Sequence, residues 1–181
     1  GFNPAPRLSF SPALPVGTES LAEFVEAEFS LPVAAAEIET KLPAVLPRGI
    51  GIVSARSVPP GSPRLSDFDI RCTYRIDPTS SGGFPAEATP DKAAEALRAL
   101  EASGAFPVTV PREDALLTID LKPLVPNFLM NGDGLFITII HGTGRGVRPL
   151  DAASALLGVA LPPDRFLPIK ISAELVPRGK N

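Results

Sequence analysis

The chain has one cysteine, Cys72, and one histidine, His141, among 181 residues, and these two scarcities exclude more chemistry than any motif supplies. A single thiol cannot close an internal disulfide, and nothing points to an oxidising compartment. A zinc site of cysteine and histidine within one chain is excluded, as is an iron–sulfur cluster held by three or four thiolates. Long apolar runs are missing too: none approaches the ~20 residues that span a bilayer, and no signal-peptide pattern is present. A carboxylate-only metal site stays open but has no support, and the chain reads as a soluble, cytoplasmic protein for which no cofactor is expected. Strong net charge is also lacking. A balance of −3 gives no wholesale grip on nucleic acid. From His141 onward, however, six Lys or Arg stand against three acids, so the last quarter is mildly basic.

Proline is what the chain has in excess: 22 residues, against a usual share of about 5%. They fall between periodic segments, where they stiffen turns and edges. The opening stretch, Gly1-Phe2-Asn3-Pro4-Ala5-Pro6-Arg7-Leu8-Ser9-Phe10 and then Pro12-Ala13-Leu14-Pro15, is the extreme case. Each proline fixes its own φ and pushes the residue before it toward an extended backbone. The segment reads as an extended arm that displays Asn3, Arg7, Ser9, Ser11, Glu19 and Ser20, and so abrupt a start implies that the native chain continues upstream.

Further along, Leu21 to Phe29 alternates loosely and suggests a half-buried strand, with an amphipathic helix as the competing reading. Ser30-Leu31-Pro32 opens a helix whose apolar stripe is Ile38, Leu42 and Leu46. Ile50 to Val58 reads as a strand, and Pro59-Pro60-Gly61-Ser62-Pro63 as a linker. The cleanest strand signal follows: Phe68, Ile70, Cys72, Tyr74 and Ile76 alternate with Asp69, Arg71, Thr73, Arg75 and Asp77, which buries Cys72 as a small core residue. Thr89, Pro90 and Asp91 make a helix start, and Gly104 its stop. Short strands are expected at Phe106–Val110 and Ala115–Leu121. A type-I′ hairpin turn at Asn131-Gly132-Asp133-Gly134 leads into a strand over Leu135–Ile140. A helix runs from near Pro149 to Gly158. The last strand turns Leu167, Ile169, Ile171, Ala173 and Leu175 inward and Lys170, Ser172 and Glu174 outward.

Strand, helix, strands, helix, strand is the split βαβ arrangement with an extra hairpin. The first half supplies the same order without its opening strand and helix. The expected architecture is therefore α+β, with two tandem ferredoxin-like units: a partial one over residues 1–60 and a full one over residues 64–181.

Several motifs carry a family likeness. Gly1-Phe2-Asn3-Pro4-x-Pro6-Arg7-x-Ser9-Phe10 and Pro15-x-Gly17-x-Glu19-Ser20, with Ile119-Asp120-Leu121-Lys122-Pro123 and Gly146-Val147-Arg148-Pro149-Leu150, resemble the signature of the radical-SAM-linked proteins, a bacterial family of unknown function. The resemblance spans essentially the whole chain, with Ala5 departing from the polar or basic residue common at that place. It implies association rather than chemistry: such proteins are encoded beside, or fused to, a radical SAM protein that carries the cluster, and near genes for a ribonuclease and ribosomal proteins. It also implies a strand and a helix, about thirty residues, ahead of the Gly-Phe-Asn-Pro motif. The expected function is an accessory module that partners a separate radical SAM enzyme and acts on RNA with it. The alternatives are a stand-alone RNA-binding protein using the C-terminal basic patch, and a small enzyme using Asp120, Glu19 or His141. Of these, a chain that is not an enzyme on its own is favoured over one that is.

Candidate binding residues are Asn3, Arg7, Glu19, Lys122, Arg145 and Arg148. Arg7 offers a planar five-donor fork for phosphate or carboxylate; the plainer reading pairs it with Glu19 across adjacent strands, with Asn3 capping a turn. The Gly142–Gly146 loop places Arg145 and Arg148 before a helix N-terminus, which favours anions, but it lacks the dinucleotide and P-loop patterns. A flexible connecting turn explains it as well. His141 at a strand end reads as structural, since no nucleophile–base set gathers around it. The apolar connection Pro123–Met130 reads as packed inward, with an exposed docking patch as the alternative. Ten Phe and one Tyr are spaced as core residues and form no exposed stacking pair for RNA.

Overall fold

The computed structural model describes residues 7–79, 82–112, 115–142, 144 and 146–178. In chain order the elements are β1 (Arg7–Phe10), β2 (Glu19–Ser20), β3 (Val25–Glu28), α1 (Ala35–Lys41), β4 (Phe68–Pro78), α2 (Pro90–Ala102), β5 (Pro107–Arg112), β6 (Ala115–Asp120), β7 (Asn127–Asn131), β8 (Gly134–His141), α3 (Pro149–Leu157) and β9 (Phe166–Pro177). The class is α+β. The main sheet has the order β2-β9-β4-β8-β7, antiparallel throughout except for β2, which runs parallel to β9. Two separate ribbons, β1–β3 and β5–β6, complete the strands. Among the described residues no helix is long and apolar enough to cross a membrane.

β4 lies at the centre because its alternation is unbroken. Ile70, Cys72, Tyr74 and Ile76 are all buried on one face, while Arg71, Thr73, Arg75 and Asp77 line the other. Helices α2 and α3 cover the apolar face. The first contributes Ala93, Ala96 and Leu100, and the second Ala152, Ala153, Leu156 and Leu157. Burying each Leu-sized side chain is worth ~1.5–3 kcal/mol. The helix ends follow local chemistry: the Thr89 hydroxyl accepts the Lys92 N–H at 3.2 Å, and Gly158 closes α3 in the left-handed region at φ 69°. Val125 and Phe128 are buried, so the apolar connection before β8 packs inward, leaving Leu129 partly exposed.

Four expectations need correction. Residues 50–58 form no strand; an apolar extended segment becomes a strand only when an edge pairs with it, and here Ile50, Val53 and Val58 are exposed. Its bonds are local or to a side chain: the Ile50 N–H donates to the Pro47 carbonyl at 3.2 Å and the Ala55 N–H to Glu39 Oε1 at 2.6 Å. The strand expected over Leu21–Phe29 is only Val25–Glu28, because the chain bends after Ser20. The β7–β8 turn is not type I′: the positive φ, 132°, sits on Gly134, and the Asp133 N–H donates to Asn131 Oδ1 at 2.8 Å, so the Asn side chain makes the turn.

The fourth correction concerns β9. Its register against β4 shifts at Thr73/Tyr74, where Lys170 pairs with Tyr74 and Ser172 with Thr73, leaving Ile171 as the extra residue. A bulge of this kind reverses which side chains face inward. Before it Phe166, Pro168 and Lys170 are buried; after it Ala173 and Leu175 pack on the core. Single-phase alternation holds only beyond the bulge, and Lys170 points in, not out.

Candidate functional site

The bulge makes possible the one buried charged cluster among the described residues. Lys170 is 2% exposed, and an isolated ammonium there would cost several kcal/mol. Its counter-ion comes from the far end of the chain. β2 pairs along β9, placing Ser20 beside Lys170, and the Leu21 N–H closes on the Lys170 carbonyl at 2.8 Å. The backbone then turns and carries Glu23 over the sheet. Glu23 Oε1 receives Lys170 Nζ at 2.6 Å and the Ser20 hydroxyl at 2.6 Å; Oε2 receives the Ser11 hydroxyl at 2.5 Å. The Ser11 N–H to Phe24 carbonyl bond, 2.9 Å, holds the two stretches together.

Burial by itself would raise the Glu23 carboxyl, but hydrogen bonds from Lys170, Ser11 and Ser20, with the Lys170 charge, hold it below its ordinary range. The aromatic part of the cluster adjoins this pair. Lys170 Nζ lies 6.0 Å from the Tyr74 ring centre, at the outer limit of a cation–π contact. The Tyr74 hydroxyl meets His141 Nε2 at 3.0 Å. Burial, reinforced by the Lys170 charge, pushes His141 down to about 4, so the imidazole is neutral at pH 7. Burial, with Cys72 alongside, pushes the Tyr74 phenol up, and burial pushes the Cys72 thiol up as well. Neither is a ready nucleophile. The cluster is a closed set of donors and acceptors: no buried side-chain polar atom among the described residues lacks a partner. Chemically it joins residues 7–28 to the sheet.

The residues singled out by sequence are scattered. Asn3 and Arg145 lie outside the described residues. Arg7 pairs with Glu28, directly opposite on β3, at 3.2 Å, not with Glu19, which stands on β2 in the main sheet. Lys122 Nζ binds the Leu100 carbonyl at 2.9 Å and also that of Glu101, so its charge sits on the C-terminal end of α2, where a cation is favoured. Arg148 is exposed at the N-cap of α3. Among the described residues no hydrogen bond or ion pair links any two of Arg7, Glu19, Lys122 and Arg148. The enzyme candidates are equally dispersed: Asp120 accepts the Phe106 and Lys122 N–H groups, Glu19 is exposed on β2, and His141 faces Tyr74. The positive end of α3 already has Asp151 in its first turn, bound to Arg112 at 2.7 Å. No group of three or more His, Cys, Asp or Glu converges as a metal site among the described residues. A depression of about 310 Å³ between Thr109–Pro111 and Ser154–Ala160 is open to solvent.

Sequence reasoning missed Glu23, turned Lys170 outward, and read Ser11 and Ser20 only as side chains displayed by the arm. The available signal was that apolar residues occupy both parities between Phe166 and Val176, which one unbroken strand phase cannot accommodate. No curated protein and no solved structure matches the chain. Residues 1–149 match the family described as "Uncharacterized protein conserved in bacteria (DUF2344)", and the chain belongs to that bacterial family.

Proposed function

We propose that this chain is a non-catalytic accessory module that partners a separate radical SAM enzyme, with RNA as the material on which the pair acts. The observation that carries the binding part is the distribution of exposed apolar side chains. Of the thirteen large hydrophobic residues exposed among the described residues, eleven fall between Leu8 and Val58. Isolated exposed leucines need no explanation, but a concentration of this kind marks an interaction surface. On the β1–β3 ribbon the apolar residues share one face, Leu8 opposite Ala27 and Phe10 opposite Val25, and that face is exposed. The buried polar side chains among the described residues are meanwhile all bound to partners, and the candidate catalytic residues Asp120, Glu19 and His141 are dispersed, which supports a non-catalytic role. The identity of the partner rests on the resemblance of the Gly-Phe-Asn-Pro stretch and its companion motifs to the radical-SAM-linked proteins. The exposed Arg148 and the mildly basic last quarter support the RNA part.

The same reading includes the finer architecture of a full ferredoxin-like unit over residues 64–181 and a partial one over residues 1–60. Its support is the β9-β4-β8-β7 order with α2 and α3 on one face, which bears on the unit over residues 64–181. The experiment is co-purification of the chain with the radical SAM protein encoded beside it, using the unaltered chain and a Phe10→Asp variant. Binding of the first and its loss in the second support the proposal. Absence of binding by the unaltered chain at micromolar concentrations contradicts it.

A further inference from the structure

β9 is paired along its full length on one side only. Its register with β4 runs from Phe166 to Pro177, whereas on the opposite edge, among the described residues, only Ile169 and Lys170 have strand partners, Glu19 and Ser20. The chain leaves that edge because Glu23 must cross the sheet to reach Lys170, and the Ser20 hydroxyl, bonded to the Ala22 N–H at 3.2 Å, fixes the turn. The stretch from Ile171 to Pro177 is thus an open edge, about 23 Å long at ~3.3 Å per residue. Natural sheets guard such edges with prolines, lysines or bulges. Here the bulge lies at one end and Pro177 at the other, and Ile171-Ser172-Ala173-Glu174-Leu175-Val176 between them carries a single charge.

We propose that this edge takes an extended strand from the partner protein, adding a sixth strand to the main sheet. The proposal rests on the reading of the chain as a module that binds a radical SAM protein. Two observations fix the character of the incoming segment. Ala173 and Leu175 are half-buried at the margin of the core, so residues facing them must be apolar. Glu174, on the other face, is 64% exposed and paired, among the described residues, with Arg71 alone at 3.4 Å, so a Lys or Arg belongs opposite it. Glu174 also disfavours a second copy of this chain: antiparallel self-pairing centred on the open stretch sets Glu174 directly against its own equivalent. A carboxylate at the middle of the edge likewise disfavours nucleic acid. Main-chain hydrogen bonds would supply affinity and these side chains selectivity, as in other cases of strand addition.

Hydrogen–deuterium exchange on the full chain, alone and mixed with the radical SAM protein, tests this. The amides of Ile171–Val176 that point away from β4 are expected to exchange rapidly in the free chain and roughly tenfold or more slowly in the complex. A complex that forms and leaves these amides unchanged overturns strand addition while the partner reading stands. Failure to form a complex overturns both. Protection in the free chain that grows with its concentration shows a second copy on the edge and overturns the proposal.

Discussion

Lys170 and Glu23 are unequally buried, at 2% and 36% side-chain exposure, and the inequality sets what each substitution costs. Glu23→Ala leaves an ammonium buried without its counter-ion and is expected to destabilise by about 3 kcal/mol. Lys170→Met keeps the apolar stem and leaves a carboxylate that still accepts from Ser11 and Ser20 beside solvent, costing about 1 kcal/mol. Urea midpoints of the two variants check the order, and equal losses would contradict it. Acid acts on the same cluster. The depressed Glu23 carboxyl contributes stability above its ordinary value, and that contribution is lost as the pH falls through its folded value. His141 is neutral in the fold down to about 4, against 6.5 when unperturbed, so the unfolded chain alone takes up a proton in that window and stability falls as the pH drops. Between pH 7 and 4.5 this amounts to about 2 to 3 kcal/mol. His141→Gln, which retains an acceptor for Tyr74, is expected to lose correspondingly less, as read by urea midpoints at the two values. A third residue-scale test is Gly142→Ala. An added Cβ would stand 2.7 Å from Asp69 Oδ1, which Arg178 Nε holds at 2.8 Å, so a loss of ~1–3 kcal/mol is expected.

At the scale of elements, what the sequence makes legible is whatever local chemistry decides. β4, α2 and α3 announce themselves through unbroken periodicity, Thr89 and Gly158, because alternation and caps act within a few residues. Removing the cap by Thr89→Ala is expected to cost about 1 kcal/mol in thermal or urea unfolding. Elements that exist only by long-range pairing are not legible in this way. β2 is two residues long and is a strand solely because β9, some 150 positions later, offers an edge. Residues 50–58 have strand composition and no edge, and remain irregular. The bulge in β9 follows from a register shift against β4, and a reading of β9 alone assigns Lys170 to solvent. The candidate site was hidden for the same reason. Its ion pair joins residues 147 positions apart, whereas sequence inspection singled out exposed arginines such as Arg7 and Arg148 that meet only local surroundings.

The whole molecule divides into a well-packed sheet-and-helix body and an N-terminal portion tied to it by the Ser11–Ser20–Glu23–Lys170 cluster, with most of its apolar side chains facing outward. An exposed apolar surface of this extent marks an interaction site, and in the function proposed above a radical SAM protein is what covers it. Phe10→Asp alters an exposed ribbon residue, so it is expected to leave stability within about 0.5 kcal/mol while weakening the complex by roughly tenfold or more. Sedimentation of the purified chain with that radical SAM protein is the most direct measurement. A single faster-moving complex at micromolar concentration, lost with Phe10→Asp, is the predicted result; two independent boundaries from properly folded proteins would contradict it.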